Sequence, residues 1–348
     1  MVVLLWLLTR GYQYAKQMTY TASLNQTISL IPYLDTQQQT EKTKPWFSTI
    51  LDQQFLIKQC LTANQIAEDT PKTNVQYSEQ LAEGQNSTDN DSAQKGTTQV
   101  IEEKNIKETY TNTYGNVEIK NASKYTLTED ILKPDLTLEN KKDILIFHTH
   151  TCESYTPTEQ MSYDMMGSYR TTDLQYSVVR VGNALAEQME KRGYTVKHDT
   201  TVNDYPAFTG SYKRSMEAVK KDLEENSSTQ IVFDLHRDAV GSKNDYAPVV
   251  RIGEDYVAQI MFVIGTDGGG LYHPNWQQNL KFAVAVQQVA NEKYPGLFRP
   301  IIVRDSRYNQ HLAKAATIIE VGATGNTLEQ CIGSMKYFSD VLDEVLRK

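Results

Sequence analysis

Cysteine is scarce in this 348-residue chain: Cys60, Cys152 and Cys331 are all there is, and no C-x-x-C pair occurs. That spacing excludes a disulfide scaffold and argues against a cysteine-ligated zinc. It leaves the compartment open, because few cysteines suit a reducing cytosol and a bacterial surface protein alike. A basic excess is missing too. With Lys+Arg at 35 and Asp+Glu at 43, the formal charge is -8, whereas a nucleic-acid binder needs a basic face to meet phosphates. The 21 tyrosines are spread too evenly to form a base-stacking stripe. No G-x-S-x-G occurs, which removes the usual serine-hydrolase elbow. Gly268, Gly269 and Gly270 lack the Lys and Ser/Thr of a phosphate-cradling loop and read as a mobile surface loop. The N-terminal run VVLLWLL (residues 2–8) stops at Thr9 and Arg10, far short of the ~20 apolar residues that span a bilayer. It reads with equal weight as the remnant of a membrane anchor or as the apolar start of a helix.

Apolar content is ordinary at 39% but unevenly distributed. Residues 68–109 are rich in Asn, Thr, Ser, Gln and Glu and almost free of aliphatic clusters, so burial there cannot offset the entropy of ordering. The expected organisation is an anchor remnant or the apolar start of a helix at 1–12, a weakly structured region at 13–67, a polar linker at 68–140 and a catalytic domain at 141–348. The N-terminal region as a whole is expected to be mostly disordered. After Lys141, short apolar runs alternate with amphipathic stretches. Strands are expected at 144–147, 194–198, 230–235, 248–252, 257–264, 301–303 and 317–321. Helices are expected at 173–192, with Asp173 as cap and Gly193 as stop, and at 211–225, 275–294 and 327–346. This alternation predicts an α/β fold: an open, mainly parallel sheet with helices on both faces, its ligand site beyond the carboxyl ends of the strands.

Polar residues follow three of those apolar runs. His148 and His150 follow the first strand and share a face when extended, because side chains repeat every second residue. Cys152 and Glu153 come directly after. His236, Arg237 and Asp238 follow the strand QIVFDL, and Glu320 lies near the end of TIIEV. A histidine pair, a third histidine from another strand and nearby carboxylates are the inventory of a catalytic zinc site with three protein ligands and an open position for water. Glu320 inside an apolar strand costs several kcal/mol of desolvation unless something compensates it, and service as general base to a zinc site would be such a reason. His198, His273 and His311 lack such companions and read as ordinary structural histidines. Cys152 beside His150 has no third group to orient it as a nucleophile.

The blocks ILIFHTHTCESY, TTDLQYSVVRVGNALAEQMEKRGY, IVFDLHRDAV, AQIMFVIGT with HPNWQQN, RYNQHL, and IIEVGATGNTLEQ together resemble the stage II sporulation protein P family of endospore-forming bacteria. The resemblance runs from about Lys142 to Leu346 in the expected order, and the family is similar in turn to zinc-dependent N-acetylmuramoyl-L-alanine amidases. It implies an amidase-like fold and a Zn2+ hydrolase that cuts peptidoglycan during engulfment, at the amide joining muramic acid to the stem peptide and within peptide cross-links. It also implies an anchor in the membrane of the sporulating mother cell, with the catalytic domain facing the intermembrane space. The implied partners are a transglycosylase, stage II sporulation protein D, and a membrane protein, stage II sporulation protein M. For the metal, the resemblance implies His236 together with His150 or His148, and an acidic ligand supplied by Glu153 or Asp173; Asp173 would otherwise orient a ligand from behind. Glu320 matches the catalytic glutamate, and Arg237 would stabilise an oxyanion or a substrate carboxylate. The rival expectation is a wall-binding scaffold that keeps this fold without turnover and recruits partners to the septum.

Overall fold

The computed structural model describes residues 98–100, 109–167, 169–240 and 245–348. The expectations for residues 1–67 and for most of the polar stretch that follows lie outside the described residues. In chain order the first elements are β1 (Thr98–Val100), β2 (Asn112–Tyr114), β3 (Val117–Ala122), α1 (Glu129–Leu132), β4 (Asp143–Phe147), α2 (Val178–Glu190) and β5 (Thr195–His198). Next come α3 (Ser211–Glu225), β6 (Ile231–Asp238), β7 (Val249–Ile252), β8 (Asp255–Ala258) and β9 (Ile260–Gly265). The chain closes with α4 (Trp276–Lys293), β10 (Ile301–Arg304), a 3-10 turn at Gln310–Leu312, β11 (Ala315–Ala323) and α5 (Leu328–Arg347).

Eight strands form one sheet in the order β2-β3-β10-β9-β11-β6-β4-β5. Its pairs are parallel except β2 with β3 and β11 with β9. The chain thus forms the open, mostly parallel sheet that its alternating pattern predicts, with helices on both faces. One reversal matters for function. Because β9 runs against β11, the carboxyl ends of β4, β6 and β11 share one edge of the sheet while those of β9 and β10 lie at the other.

Alternation along the strands sorts the core. Ile144, Ile146, Ile231, Phe233, Leu235, Ile319 and Val321 point to one face, against Val181 and Leu185 of α2, Phe282 of α4 and Phe338 of α5. The other face is thinner. Leu145, Phe147, Val232 and Ala316 meet Val219 of α3, and Met261, Val263, Ile302 and Ile318 lie beneath Tyr308. Each fully buried aliphatic or Phe side chain contributes about 1.5–3 kcal/mol. The closing helix begins on a capping box: Gln330 N donates to Thr327 Oγ1 (3.3 Å) and Thr327 N to Gln330 Oε1 (3.1 Å). Among the described residues no helix is long and apolar enough to cross a membrane.

Four expectations change. The stretch 112–132, assigned by composition to the polar linker, supplies β2, β3 and α1, because Val117 and Ile119 alternate into the core and β3 pairs with β10. The strand expected at 257–264 is two strands in two sheets, broken at Gln259, whose N–H still donates to Pro248 O (2.9 Å) in the register of β7 and β8 while Ile260 starts β9. β8 pairs with β7, and β7 with β1, in a separate antiparallel sheet. Helix α2 starts after Ser177, whose Oγ accepts from Val179 N (3.2 Å), and not at Asp173. The Gly268–Gly270 run is tied down: Gly269 N donates to Asp305 O (2.7 Å), and a Cβ on Gly268 or Gly269 would run into Asp305.

Candidate active site

The register of the sheet builds the site. Glu320 on β11 lies directly opposite His236 on β6, and alternation puts Asp234 on the same face as His236. The turn after β4 brings His150 to them. Its ring centre is 5.2 Å from that of His236, with the ring planes at 85°. Glu153 closes the group from the next residues of that turn, with Oε2 at 3.3 Å from His236 Nδ1 and within reach of the Arg237 backbone N–H (3.3 Å).

Asp234 holds the turn in place. Its two oxygens accept from Thr149 N and Thr149 Oγ1, both at 2.7 Å. Its Oδ1 also lies 2.8 Å from His236 Nε2, an approach whose direction does not make a hydrogen bond, so that Nε2 is left without a partner among the described residues. Asp204 ties the same turn from outside, accepting from Cys152 N (3.1 Å) and Arg170 Nη2 (2.8 Å) and lying 3.9 Å from His150 Nδ1. Phe208 stacks on His150 at 4.5 Å and 14°, and Tyr212 meets it edge-on at 5.6 Å.

Electrostatics divide the group into unequal parts. Burial disfavours a charged His236, but Asp234 and Glu153 on its two sides outweigh that and hold it protonated well above the usual imidazole range. Burial also opposes a charged Glu153, yet His236, Arg237 and His150 bring its carboxyl down to about 2. His150 is pushed by burial to about 4 and is neutral at pH 7. Glu320 is pushed the other way, to about 8, by burial, against the pull of His236 and with Asp238 and Glu153 adding to the rise.

The remaining sequence candidates stand elsewhere. His148 is fully buried behind the sheet edge: its Nδ1–H donates to Leu235 O (2.8 Å) and its Nε2 meets His198 Nε2 (2.8 Å). Arg237 points to the opposite face from His236, donating from Nε to Ser154 O (2.9 Å) and from Nη2 to Tyr169 O (3.1 Å). Asp173 is exposed and caps its own turn through Gln175 N (3.0 Å). Burial pushes the Cys152 thiol up to about 12, so it is no thiolate nucleophile at neutral pH. The structure therefore gathers His150, Glu153, His236 and Glu320 and leaves His148, the Arg237 guanidinium and Asp173 outside.

Among the described residues no three His, Cys, Asp or Glu side chains enclose an ion position as they stand. The donor set nevertheless suits zinc. His150 Nδ1 and Glu320 Oε2 are buried and without hydrogen-bond partners among the described residues, and two imidazoles with centres 5.2 Å apart can share an ion at Zn–N distances of about 2 Å. Through Nδ1, His236 can share an ion with Glu153, whose Oε2 is 3.3 Å away, and Asp234 Oδ1, 2.8 Å from Nε2, would then be the carboxylate on the other ring nitrogen that ligating histidines commonly have.

The stage II sporulation protein P family model matches residues 47–343. Stage II sporulation protein P of Bacillus subtilis (strain 168) is 28% identical over 227 residues, which are 61% of this chain and 53% of that protein, so the chain spans about half of its relative's length. Among solved structures, the CwlD amidase of Clostridioides difficile in complex with the GerS lipoprotein is 13% identical, with a TM-score of 0.37 over 59% of this chain and 96% of that one. The N-acetylmuramoyl-L-alanine amidase AmiC2 of Nostoc punctiforme is 11% identical, with a TM-score of 0.35 over 60% of this chain and 96% of that one. With more than half of its length matched by the family model, the chain belongs to the stage II sporulation protein P family.

Proposed function

We propose that this chain is a zinc-dependent peptidoglycan hydrolase of sporulation that cleaves the amide between N-acetylmuramic acid and L-alanine, with peptide cross-links as a second substrate. The observation that supports it most is the convergence of His150, Glu153, His236 and Glu320 on one face of one sheet edge, with buried donor atoms left unpartnered. In this reading His150, His236 and Glu153 hold the ion. Held by these residues, a zinc ion would supply a water of pKa about 7 and polarisation of the scissile carbonyl. Glu320 moves the proton, accepting it from the attacking water and returning it to the leaving nitrogen. Burial raises this carboxyl above its ordinary range, which favours its holding the proton between the two steps. Arg237 works at a distance, fixing the carbonyls of Ser154, next to Glu153, and of Tyr169.

Stage II sporulation proteins D and M as partners, and a position at the mother-cell membrane facing the intermembrane space, belong to the same proposal. The test is metal content after purification without chelators. One zinc per chain in the wild type, lost in His150→Ala, His236→Ala and Glu153→Ala but kept in His148→Ala, is the expected result. Zinc absent from the wild type, or kept by all three ligand variants, would contradict it.

A further inference from the structure

Attack on an amide carbon drives an electron pair onto the carbonyl oxygen, and hydrolases aim a preorganised donor at that oxygen. Arg237 is already committed to Ser154 O and Tyr169 O on the other face. Tyr212, in the first turn of α3, is a second candidate donor, packed against the candidate ligand His150. Its ring is 5.6 Å from His150 at 85°, and on its other side Tyr308 packs at 5.8 Å. Its hydroxyl has no hydrogen-bond partner among the described residues. A tyrosine phenol, with an ordinary pKa of about 10, keeps its proton at neutral pH and can donate it in a hydrogen bond.

The chain also fixes this ring. Asn309 Nδ2 donates to Tyr212 O (3.0 Å) and to Ser215 Oγ (2.9 Å), binding the first turn of α3 to the segment that carries Tyr308. Tyr308 itself has φ +53°, a left-handed conformation that a bulky residue adopts at a cost. Gly265 makes room for the segment that carries it, since a Cβ there would run into Ser306 O and lie 2.9 Å from Tyr308 Cδ2. Strain of this kind, set against a ring that touches the candidate ligand His150, marks a placement that the fold maintains.

We propose that Tyr212 is a further catalytic residue, donating a hydrogen bond from its hydroxyl to the carbonyl oxygen of the scissile amide. The proposal rests on the hydrolase reading above. In the first step the water oxygen bonds to the carbonyl carbon, a water proton passes to the Glu320 carboxylate, and the C=O electron pair moves onto the oxygen, which accepts the hydrogen bond while Tyr212 keeps its proton. In the second the C=O bond re-forms, the C–N bond breaks, and the proton held by Glu320 goes to the departing nitrogen.

The test is Tyr212→Phe, which keeps the ring and its contacts and removes only the hydroxyl. It is assayed on a soluble muropeptide for kcat and KM, alongside zinc content and melting temperature. The expected result is a kcat lower by about 100-fold or more, with KM, zinc content and melting temperature unchanged. A kcat close to that of the wild type would overturn the proposal, as would a loss that merely follows lost zinc or lost stability. A wild-type protein with no turnover would sink the hydrolase reading, and this proposal with it.

Discussion

Glu320 and His236 face each other across the parallel pair β11 and β6, one carboxyl pushed up to about 8 and one imidazole held protonated above its usual range. Neither shift arises from its own strand alone. Burial raises Glu320, while Asp234 and Glu153 hold the charge on His236 that draws Glu320 partly back.

The Glu320 carboxyl makes the metal-free protein's stability depend on pH. Its folded pKa of about 8 lies above the ordinary 4.5, so between those values the folded state binds more protons than the unfolded one. The contribution is present below pH 4.5 and lost as pH rises through 8. Glu320→Gln should therefore gain stability over the wild type as pH goes from 5 to about 9 in thermal melts, while losing about 100- to 10,000-fold in hydrolysis. Parallel melting curves for the two proteins across that range would contradict this account.

Arg237 is predicted to act through the loop and not at the reacting oxygen. A lysine cannot reach both Ser154 O and Tyr169 O with one planar fork, so Arg237→Lys should cost about 1.5–3 kcal/mol and weaken zinc binding as Glu153 loosens. Isothermal titration of the apoprotein with zinc, together with chemical denaturation, checks both. An unchanged zinc affinity with a lower kcat would instead return Arg237 to the oxyanion role that the resemblance implied.

Gly182 is the glycine that the paired rings of His148 and His198 require. A Cβ there would sit 2.6 Å from His198 Nε2 and 2.9 Å from His148 Nε2. Gly182→Ala should lower stability by about 1–3 kcal/mol through overpacking, even though alanine in a helix is ordinarily favoured over glycine by about 1 kcal/mol. A raised melting temperature would contradict the close contact of the two rings.

His273 gives a second pH signature, far from the proposed metal. It is buried, neither ring nitrogen has a partner among the described residues, and burial, then His311 and Arg307, lower it to about 4, with Asp267 opposing. Since the unfolded chain protonates near 6.5, its contribution is full above that pH and is lost as pH falls toward 4. His273→Leu should flatten acid destabilisation in that window and leave stability at pH 7 no lower, because orphaned ring nitrogens are removed. Acid melts as steep as those of the wild type would count against it.

Strand ends were legible in the sequence because short apolar runs stop abruptly at polar residues, and a parallel sheet gathers such ends at one edge. His150, His236 and Glu320 came into view that way. Asp234 did not, although the argument applied to Glu320, a carboxylate within an apolar strand, holds equally for QIVFDL. His198 looked solitary because the partner that completes it, His148, arrives through the β4–β5 register, which no local pattern reveals. Asp204 and Phe208 sit in a loop whose path is set by Arg214, which donates to Asn203, Ala207 and Thr209 carbonyls. The reversal of β9 was equally hidden, since an apolar strand reads the same in either direction. Segment 112–132 was lost to composition: VEIK is too short an alternation to stand out beside a long polar stretch.

Mass analysis of muropeptides released from purified peptidoglycan by the wild type, His236→Ala and Glu320→Gln tests the central claim most directly. The account predicts that the wild type releases intact stem peptides from glycan, and that neither variant does so while both retain wild-type circular dichroism. Undiminished release by the two variants, or wild-type products in which every muramoyl–alanine amide is intact, would contradict it.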